Sequence, residues 1–426
     1  MNVEKYLSNF FRGTKNPSLN AMNYLMNEFK HPEDKLKAIH IAGTNGKGSV
    51  TEMITNVLVK EGYTVGKYIS PHLIKYNERI SVNNKNISDN EMEKLINKIN
   101  PLIEKYNSES DVPVTLFELE TTMAFLYFEE KKCDFIVLET GLGGLYDCTN
   151  IIKHPLVSVI TSIGYDHMHI LGNTLPEIAY QKAGIIKDNS NTVIFEGQPD
   201  IDNVFINECK KKNNTLHIIK KTNISNYSFD NNFQYFDFDN FKNITINLKG
   251  KAQVRNACLC LEVFKILNKL GYHIKLKNIQ EGLKTVIHKG RMEQLNDSPL
   301  IIYDGAHNEQ AIKNLQDMVK MYYEKKKRIY IISILKRKDY NKMLELLAED
   351  KDALFVLTSG NNQDKFASKE ELYECMKKFV DSKKLYKKNL DDAIIDAMNY
   401  DSNTVNFIIG SFYTYGTVVD ILKRNK

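Results

Sequence analysis

The sequence predicts an α/β fold of two domains, each built on a mainly parallel sheet with helices on its faces. The chain has 426 residues, more than one ordinary domain holds, and its 42% hydrophobic content is enough for two sizeable cores. Short apolar segments typical of buried strands alternate with segments of helical periodicity almost from end to end. This alternation is typical of parallel strands connected by helices.

The first domain contains a strand that leads directly into a glycine-rich loop. We predict this strand over residues 37–42 and a helix over residues 49–60 after the loop. Further strands are predicted over 63–69, 134–139 and 156–162, and helices over 115–130, 175–184, 253–269 and 279–286. Mixed aromatic and polar residues between 224 and 249 predict a small antiparallel ribbon attached to this domain.

A second strand–helix series follows residues 287–290, which we interpret as a linker. Its predicted strands cover 300–303, 328–334, 353–357 and 405–409, and its predicted helix covers 309–322. We therefore predict domains at residues 1–288 and 289–426.

Charge and composition argue against several classes of protein. The 58 basic and 53 acidic residues are spread along the chain, which gives no electrostatic footprint for nucleic acid. No run approaches the roughly 20 apolar residues of a membrane helix, and the N-terminus lacks the apolar core of a signal peptide. Six scattered cysteines favour reduced thiols. We expect a cytoplasmic monomer that binds small molecules, without nucleic-acid or membrane partners.

The glycine-rich loop runs from Gly43 to Ser49. A loop between a strand and a helix directs backbone N–H groups at an anion, and its glycines let phosphate oxygens approach. Lys47 supplies a mobile positive charge, and the Ser49 hydroxyl can bind phosphate or magnesium. The strict P-loop spacing fails because Ile41 occupies the position of its first glycine. The alternative is a glycine turn with a surface lysine, but the flanking strand and helix favour phosphate binding.

Further motifs follow this loop. They are Ser70-Pro71-His72, Asn77-Glu78-Arg79-Ile80, Glu139-Thr140-Gly141-Leu142-Gly143-Gly144, Asp147, Thr149-Asn150, Asp166-His167, Lys182-Ala183-Gly184-Ile185, Gln253, Asn256-Ala257, Gly290-Arg291, Glu293 and Asp304-Gly305-Ala306-His307-Asn308. With the run from His40 to Ser49, this series closely resembles the bacterial-type folylpolyglutamate synthase/dihydrofolate synthase family of the Mur ligase superfamily. The resemblance implies a P-loop-type ATPase domain carrying the small ribbon, followed by a smaller Rossmann-like glutamate ligase domain.

The resemblance also implies the residues of the ATP and metal sites. ATP contacts are implied for Thr44, Asn45, Gly46, Lys47, Gly48, Ser49, Asn256, Arg291 and Asp304, magnesium ligands for Ser70, Glu139 and His167, and catalytic roles for Lys47, His167 and Lys182. Glu139 ends a predicted buried strand, where open α/β sheets place ligands, and magnesium prefers oxygen ligands. A histidine such as His167 is by itself more often a hydrogen-bonded loop residue. Its position in Asp166-His167, just after a predicted strand, favours a role for His167 as a metal ligand instead.

Lys182 would by composition be an ordinary surface lysine on a helix. The family resemblance instead implies that its neutral amine adds carbon dioxide and becomes an anionic carbamate near the metal. A buried lysine suits this chemistry, because desolvation disfavours the charged amine.

On the acceptor side, the resemblance implies contacts with the substrate from two segments. These are Thr115, Leu116, Phe117 and Glu118, and Tyr146, Asp147 and Cys148, with His307 near the incoming glutamate. Phe117 could stack on a flat heterocycle or be a core residue of a helix. Asn308 could instead be a helix N-cap. Leu145 and Tyr146 replace the arginine and leucine common in the family, which affects the expected contacts with the pterin and carboxylate.

The implied reaction is ATP-dependent addition of L-glutamate to a folate or dihydropteroate carboxylate through an acyl phosphate, giving ADP and phosphate. The chemistry needs positive charge and in-line positioning rather than a protein nucleophile. We expect a bifunctional enzyme; the alternatives are a monofunctional folylpolyglutamate synthase or another Mur-type amino-acid ligase. A cell-wall Mur ligase would need a nucleotide-sugar-binding domain before the loop, and 42 residues precede Gly43. A kinase or switch NTPase should lack the Lys182 motif, and the implied metal ligands disfavour a non-catalytic nucleotide-binding module.

Overall fold

The computed structural model describes residues 2–11, 18–360 and 364–425. The chain forms two compact units. The first comprises Met1–Asn247 and Gln253–Val286, and the second comprises Leu248–Ala252 and Ile287–Lys426. The short segment Leu248–Ala252 differs from the predicted division, because it clusters with the second unit. There Lys249 Nζ donates a hydrogen bond to the Tyr323 hydroxyl at 2.9 Å.

The first unit is built on an eight-stranded sheet. Its strands are β1 (Ala38–Ala42), β2 (Val65–Tyr68), β3 (Ile80–Val82), β4 (Lys85–Asn86), β5 (Phe135–Glu139), β6 (Val157–Ile160), β7 (Asn191–Phe195) and β8 (Thr215–Ile219), in the order β4-β3-β2-β5-β1-β6-β7-β8. The six strands from β2 to β8 in that order are parallel, whereas β3 is antiparallel to β2 and the edge strand β4 is antiparallel to β3. Because β1, β2, β5 and β6 are adjacent and parallel, their carboxyl ends lie at one edge of the sheet.

A three-stranded antiparallel sheet confirms the predicted ribbon. Its strands are β9 (Ile224–Phe229), β10 (Gln234–Phe238) and β11 (Phe241–Ile246), with β10 in the middle. Phe236 and Phe238 are buried in β10, whereas the residues of β9 are half-buried or exposed.

Among the described residues, ten α-helices lie wholly or mainly in the first unit. They are α1 (Val3–Ser8), α2 (Asn20–Glu28), α3 (Lys47–Glu61), α4 (Asp89–Glu109), α5 (Leu116–Glu130), α6 (Met168–Leu171), α7 (Leu175–Ala183), α8 (Pro199–Lys211), α9 (Lys251–Lys269) and α10 (Leu276–Lys284). One core cluster packs α2, α4 and α5 on the sheet, and another packs α7 and α8 on β6 and β7 at the same face. The strand residues that point to the other face, such as Ile39, Val137 and Val159, are also buried, and α3 contacts β1, β2 and β5. The sheet is thus buried on both faces, as its continuous apolar strands require.

The second unit has a six-stranded sheet in the order β12-β13-β17-β14-β15-β16. Its strands are β12 (Glu293–Asp297), β13 (Leu300–Asp304), β14 (Lys327–Ile332), β15 (Leu354–Leu357), β16 (Leu385–Lys387) and β17 (Thr404–Ile409). Only β12 is antiparallel to its neighbour among these described strands. Its helices are α11 (Glu309–Tyr323), α12 (Tyr340–Leu347), α13 (Lys369–Met376), α14 (Leu390–Ala397) and α15 (Tyr415–Arg424). The predicted two-domain α/β fold is thus confirmed.

All six cysteines are buried and unpaired in the structure. In the part of the chain that the structure describes, no helix combines the length and apolar character that a membrane span needs.

Candidate active site

The glycine-rich loop joins β1 to α3 and is hydrogen-bonded to the segment that follows β6. Thr44 N donates to Ser162 O at 2.7 Å, and the Thr44 hydroxyl donates to Gly164 O at 3.0 Å. Gly46 has a φ of +95°, and a Cβ added there would lie 2.7 Å from the Asn256 side-chain oxygen. Only glycine suits this position, both for its backbone angle and for its closeness to α9.

Lys47 is the first residue of α3, so its backbone N–H lies at the positive end of a 15-residue helix. Its side chain folds back over the loop and Nζ donates to the carbonyl oxygen of Gly43 at 3.1 Å. Ser49 is buried in the first turn of the same helix. The loop therefore presents helix N–H groups and a lysine amine together, an arrangement that suits a phosphate group.

Lys182 lies near the end of α7 and is not the surface residue that composition alone would suggest. Only 3% of the residue is exposed, and Nζ donates to the same Gly43 carbonyl at 2.9 Å. Burial and the nearby charge of Lys47 lower the pKa of Lys182 to about 7, although Asp166 and Asp147 act in the opposite direction. The structure thus brings the two lysines together at one carbonyl oxygen, and a large neutral fraction of Lys182 exists at neutral pH.

The three predicted metal ligands follow the carboxyl ends of neighbouring strands. Ser70 follows β2, Glu139 is the last residue of β5, and His167 lies beyond β6. Glu139 is 6% exposed. The Asp166 side chain accepts a hydrogen bond from the backbone N–H of His167 at 2.9 Å, which holds His167 in a left-handed conformation with φ +51°. A hydroxyl, a buried carboxylate and an imidazole at one sheet edge form a donor set that fits a magnesium ion with retained water ligands.

Arg79 holds the segment after Ser70 in place, a role that the motif alone did not reveal. Its Nε donates to His72 Nδ1 at 2.9 Å, and its Nη1 donates to Glu120 Oε2 at 2.6 Å. The His72 ring also packs on Tyr76 with ring centres 4.3 Å apart. Two of these four residues, His72 and Arg79, belong to quoted motifs, so the sequence did carry a signal for these contacts.

The first predicted acceptor segment starts α5. Thr115 and Glu118 form a capping box, with the Glu118 carboxylate accepting from Thr115 N at 2.7 Å. Leu116 is buried in the core. Phe117 is half-buried and packs so closely on Gly141 that a Cβ there would lie 2.6 Å from its ring. The structure thus gives Thr115 and Glu118 a local structural role and leaves Phe117 beside the loop that carries the second segment.

That second segment differs in exposure from residue to residue. Tyr146 is 50% exposed, whereas Asp147 and Cys148 are buried. Burial raises the pKa of the Asp147 carboxyl, and hydrogen bonds from Thr149 and Leu142 act in the opposite direction. Burial also raises the pKa of the Cys148 thiol far above its ordinary value. Among the three, the Tyr146 side chain is the one a ligand can reach in this unit.

In the second unit, the predicted residues cluster at the carboxyl end of β13. Asp304 accepts from Met292 N at 2.9 Å and from Ala306 N at 2.8 Å. Burial raises the pKa of Asp304, while the charge of Arg291 lowers it. Arg291 packs over the ring of Phe412, and His307 lies beside the same ring. The Asn308 side chain accepts from Ala311 N at 2.9 Å, so its interpretation as an N-cap of α11 is confirmed.

Two protein-family models match the chain and define its class. A model of the Mur ligase middle domain matches residues 41–264, and a model of the dihydrofolate synthetase C-terminal domain matches residues 288–421. A Bacillus subtilis dihydrofolate synthase/folylpolyglutamate synthase is 37% identical over 419 residues, covering 96% of this chain and 95% of the relative.

A Lacticaseibacillus casei folylpolyglutamate synthase is 32% identical, covering 80% of this chain and 81% of its own. The structure also matches a Mycobacterium tuberculosis folylpolyglutamate synthase solved with ADP and AMPPCP. That match has a TM-score of 0.89 and 27% identity, and covers 98% of this chain and 97% of the other. The chain belongs to the dihydrofolate synthase/folylpolyglutamate synthase family.

Proposed function

We propose that this protein is an ATP-dependent ligase that adds L-glutamate to the carboxylate of dihydropteroate and of a reduced folate. The observation that carries the proposal is the convergence of Lys47 and buried Lys182 on the Gly43 carbonyl, beside a helix N-terminus. The names of the relatives support both acceptors, since the Bacillus subtilis protein carries both activities in its name. A monofunctional folylpolyglutamate synthase remains the alternative.

In the proposed reaction, an oxygen of the acceptor carboxylate attacks the γ-phosphorus of ATP and ADP leaves. The amine of glutamate then attacks the carbonyl carbon of the acyl phosphate, and phosphate leaves as the amide forms. Lys47 and the N–H groups that begin α3 would stabilise the charge on the transferred phosphoryl group. In the second unit, Arg291 and Asp304 would contribute to ATP binding and His307 to glutamate binding. No covalent bond to the protein is needed.

Ser70, Glu139 and His167 are the residues that would hold magnesium. When bound, the ion supplies positive charge that withdraws electrons from the phosphoryl group. The chain's own contribution is to hold these donors at the ends of β2, β5 and β6, next to the phosphate loop. Arg79 would support this arrangement by fixing His72, two residues after Ser70.

We also propose that Lys182 is carbamylated. Its neutral amine would form an N–C bond to carbon dioxide and release one proton, which leaves an anionic carbamate. Burial and the lowered pKa of the amine support this reaction, because only the neutral amine is nucleophilic. Enzyme incubated with ¹³C-bicarbonate should show a carbamate carbon signal by NMR, and Lys182→Met should lack it. A signal that persists in Lys182→Met would contradict the proposal.

Phosphate release tests the main proposal. We expect release from ATP that requires L-glutamate together with either dihydropteroate or a reduced folate. Lys47→Met should abolish it, whereas Lys60→Met, an exposed lysine on the same helix, should not. Activity with only one acceptor would establish a monofunctional enzyme. ATP binding without release in the presence of any acceptor would indicate a non-catalytic module.

A further inference from the structure

A buried hydrogen-bonded chain connects β1 to the acceptor loop, defined here as residues 141–150. We propose that His40 and Thr149 are positioning residues that fix Asp147, and with it the acceptor loop, relative to the phosphate loop. The inference rests on the proposed function, because it assigns the acceptor loop to the pterin-bearing substrate. Both His40 and Thr149 lie in motifs of the sequence, but neither was predicted to have a role in the site.

The contacts form one continuous path. His40 Nε2 lies 2.8 Å from the Thr149 hydroxyl oxygen, and that hydroxyl lies 2.5 Å from Asp147 Oδ1. Asp147 Oδ2 accepts from the backbone N–H of Leu142 at 2.9 Å, so both oxygens of the carboxylate are hydrogen-bonded. Both His40 and Thr149 are 0% exposed. Water therefore does not compete for these bonds, and each group depends on its protein partner.

The direction of each hydrogen bond follows from the number of available protons. A threonine hydroxyl carries one proton, and an ionised carboxylate only accepts. Burial raises the pKa of Asp147, whereas the backbone N–H groups of Leu142 and Thr149 donate to its two oxygens and favour the ionised form, which we assign to it. The Thr149 hydroxyl therefore donates its hydrogen bond to Asp147 Oδ1 and accepts a hydrogen bond from the N–H at His40 Nε2. Burial and the charge of Lys187 lower the pKa of His40 to about 3, consistent with a neutral ring.

His40 can couple two parts of the site because of where it lies. It belongs to β1, three residues before Gly43, and its ring reaches a residue that is 109 positions away in sequence. At the other side of the acceptor loop, Leu145 N donates to Gln181 O at 2.7 Å, directly before Lys182. The acceptor loop is thus held between the strand that leads into the phosphate loop and the helix that carries Lys182.

Steady-state kinetics of the full chain can separate positioning from general stability. Thr149→Val keeps the shape of the side chain but removes the hydroxyl, whereas Thr149→Ser keeps the hydroxyl. We expect Thr149→Val and His40→Met to raise the KM for dihydropteroate about tenfold, with the KM for ATP within about twofold of wild type. Thr149→Ser and His40→Gln, which retains a donor near the Nε2 position, should restore most of the loss.

Thr55→Val is a matched control. Thr55 is a fully buried threonine on α3 whose hydroxyl has no hydrogen-bond partner among the residues that the structure describes, so its replacement should leave both KM values unchanged. An unchanged KM for dihydropteroate in Thr149→Val, or equal increases in both KM values, would overturn the inference.

Nitrogen NMR of ¹⁵N-histidine-labelled wild type gives a readout that does not need turnover. We expect the His40 ring to be neutral, with its one N–H proton on Nε2, where it donates a hydrogen bond to the Thr149 hydroxyl. A proton on Nδ1, or a charged ring, would overturn the inference even in an active enzyme. If wild type shows the Nε2 tautomer but releases no phosphate with any acceptor, the proposed function fails while the hydrogen-bonded chain stands.

Discussion

The buried amine of Lys182 offers the most direct test of the site's electrostatics. We predict that Lys182→Met raises the free energy of unfolding at neutral pH and abolishes ligation. Methionine has a similar length, is apolar and fits a site with 3% exposure. A residue kept at a cost to stability is expected where function requires it.

The magnitude follows from the pKa of Lys182. Its value falls from 10.5 to about 7 on folding. Since one pKa unit corresponds to about 1.4 kcal/mol, burying the charged amine costs about 5 kcal/mol. Methionine removes this cost but also loses the hydrogen bond to Gly43 O, a loss of about 1 kcal/mol. The favourable effect of Asp166 and Asp147 on the charged amine is already contained in the pKa of about 7. We therefore expect a net gain of about 4 kcal/mol at pH 6 to 7.

The pH dependence gives the prediction a characteristic sign. Because the pKa of this base is lower in the folded state, the unfolded chain binds more protons between about pH 7 and pH 10.5. The stability of wild type therefore rises with pH across this window, and Lys182→Met lacks that rise. The advantage of the variant should shrink by about 2 kcal/mol between pH 7 and pH 9. Other titrating groups, such as Lys187, contribute equally to both proteins and cancel in the difference.

Urea denaturation at two pH values measures this effect. Buffers should be free of carbon dioxide so that no carbamate forms. Lys94→Met, an exposed lysine on α4, is the control and should follow wild type at both pH values. A constant difference between Lys182→Met and wild type at pH 7 and pH 9 would refute the reasoning, because it would mean that the native amine titrates as in the unfolded chain.

Three further outcomes are expected. Gly46→Ala should destabilise the first unit and raise the KM for ATP more than Gly62→Ala does. Both glycines have φ near +100°, but an added Cβ would clash with a neighbour, Asn256, only at Gly46. Thermal melts and nucleotide titration would measure the two effects. Arg328→Met should cost the second unit about 3 kcal/mol in urea denaturation, since it breaks a two-pronged ion pair with Asp350, and Arg328→Lys should recover only part. The six cysteines should resist a thiol reagent such as DTNB until the protein unfolds, because all are buried and burial raises their pKa values.

Predictions of the fold succeeded where burial is complete. Strands β1 and β5 are buried at every position and mostly apolar, with His40 as the one polar residue inside β1, so their apolar runs identified them to within about a residue. Strands β3, β4, β7, β8, β12 and β16 were not predicted. They are short, partly exposed or, like β7, begin with polar residues, so no continuous apolar run marks them. Helix α4 was also missed, although Ser88 and Glu91 form a capping box that the sequence displays.

The residue types of the site were more predictable than the contacts between them. Motifs identified Lys47, Glu139 and Lys182 as residue types in a fixed order, but the strand order β2-β5-β1-β6 cannot be read from one sequence. That order brings Glu139 and the phosphate loop to neighbouring strand ends, and it brings His40 within reach of Thr149. Since β1 lies between β5 and β6, a side chain of β1 can contact loops after either neighbour. A change inside this strand should therefore alter acceptor binding without any contact with the acceptor itself.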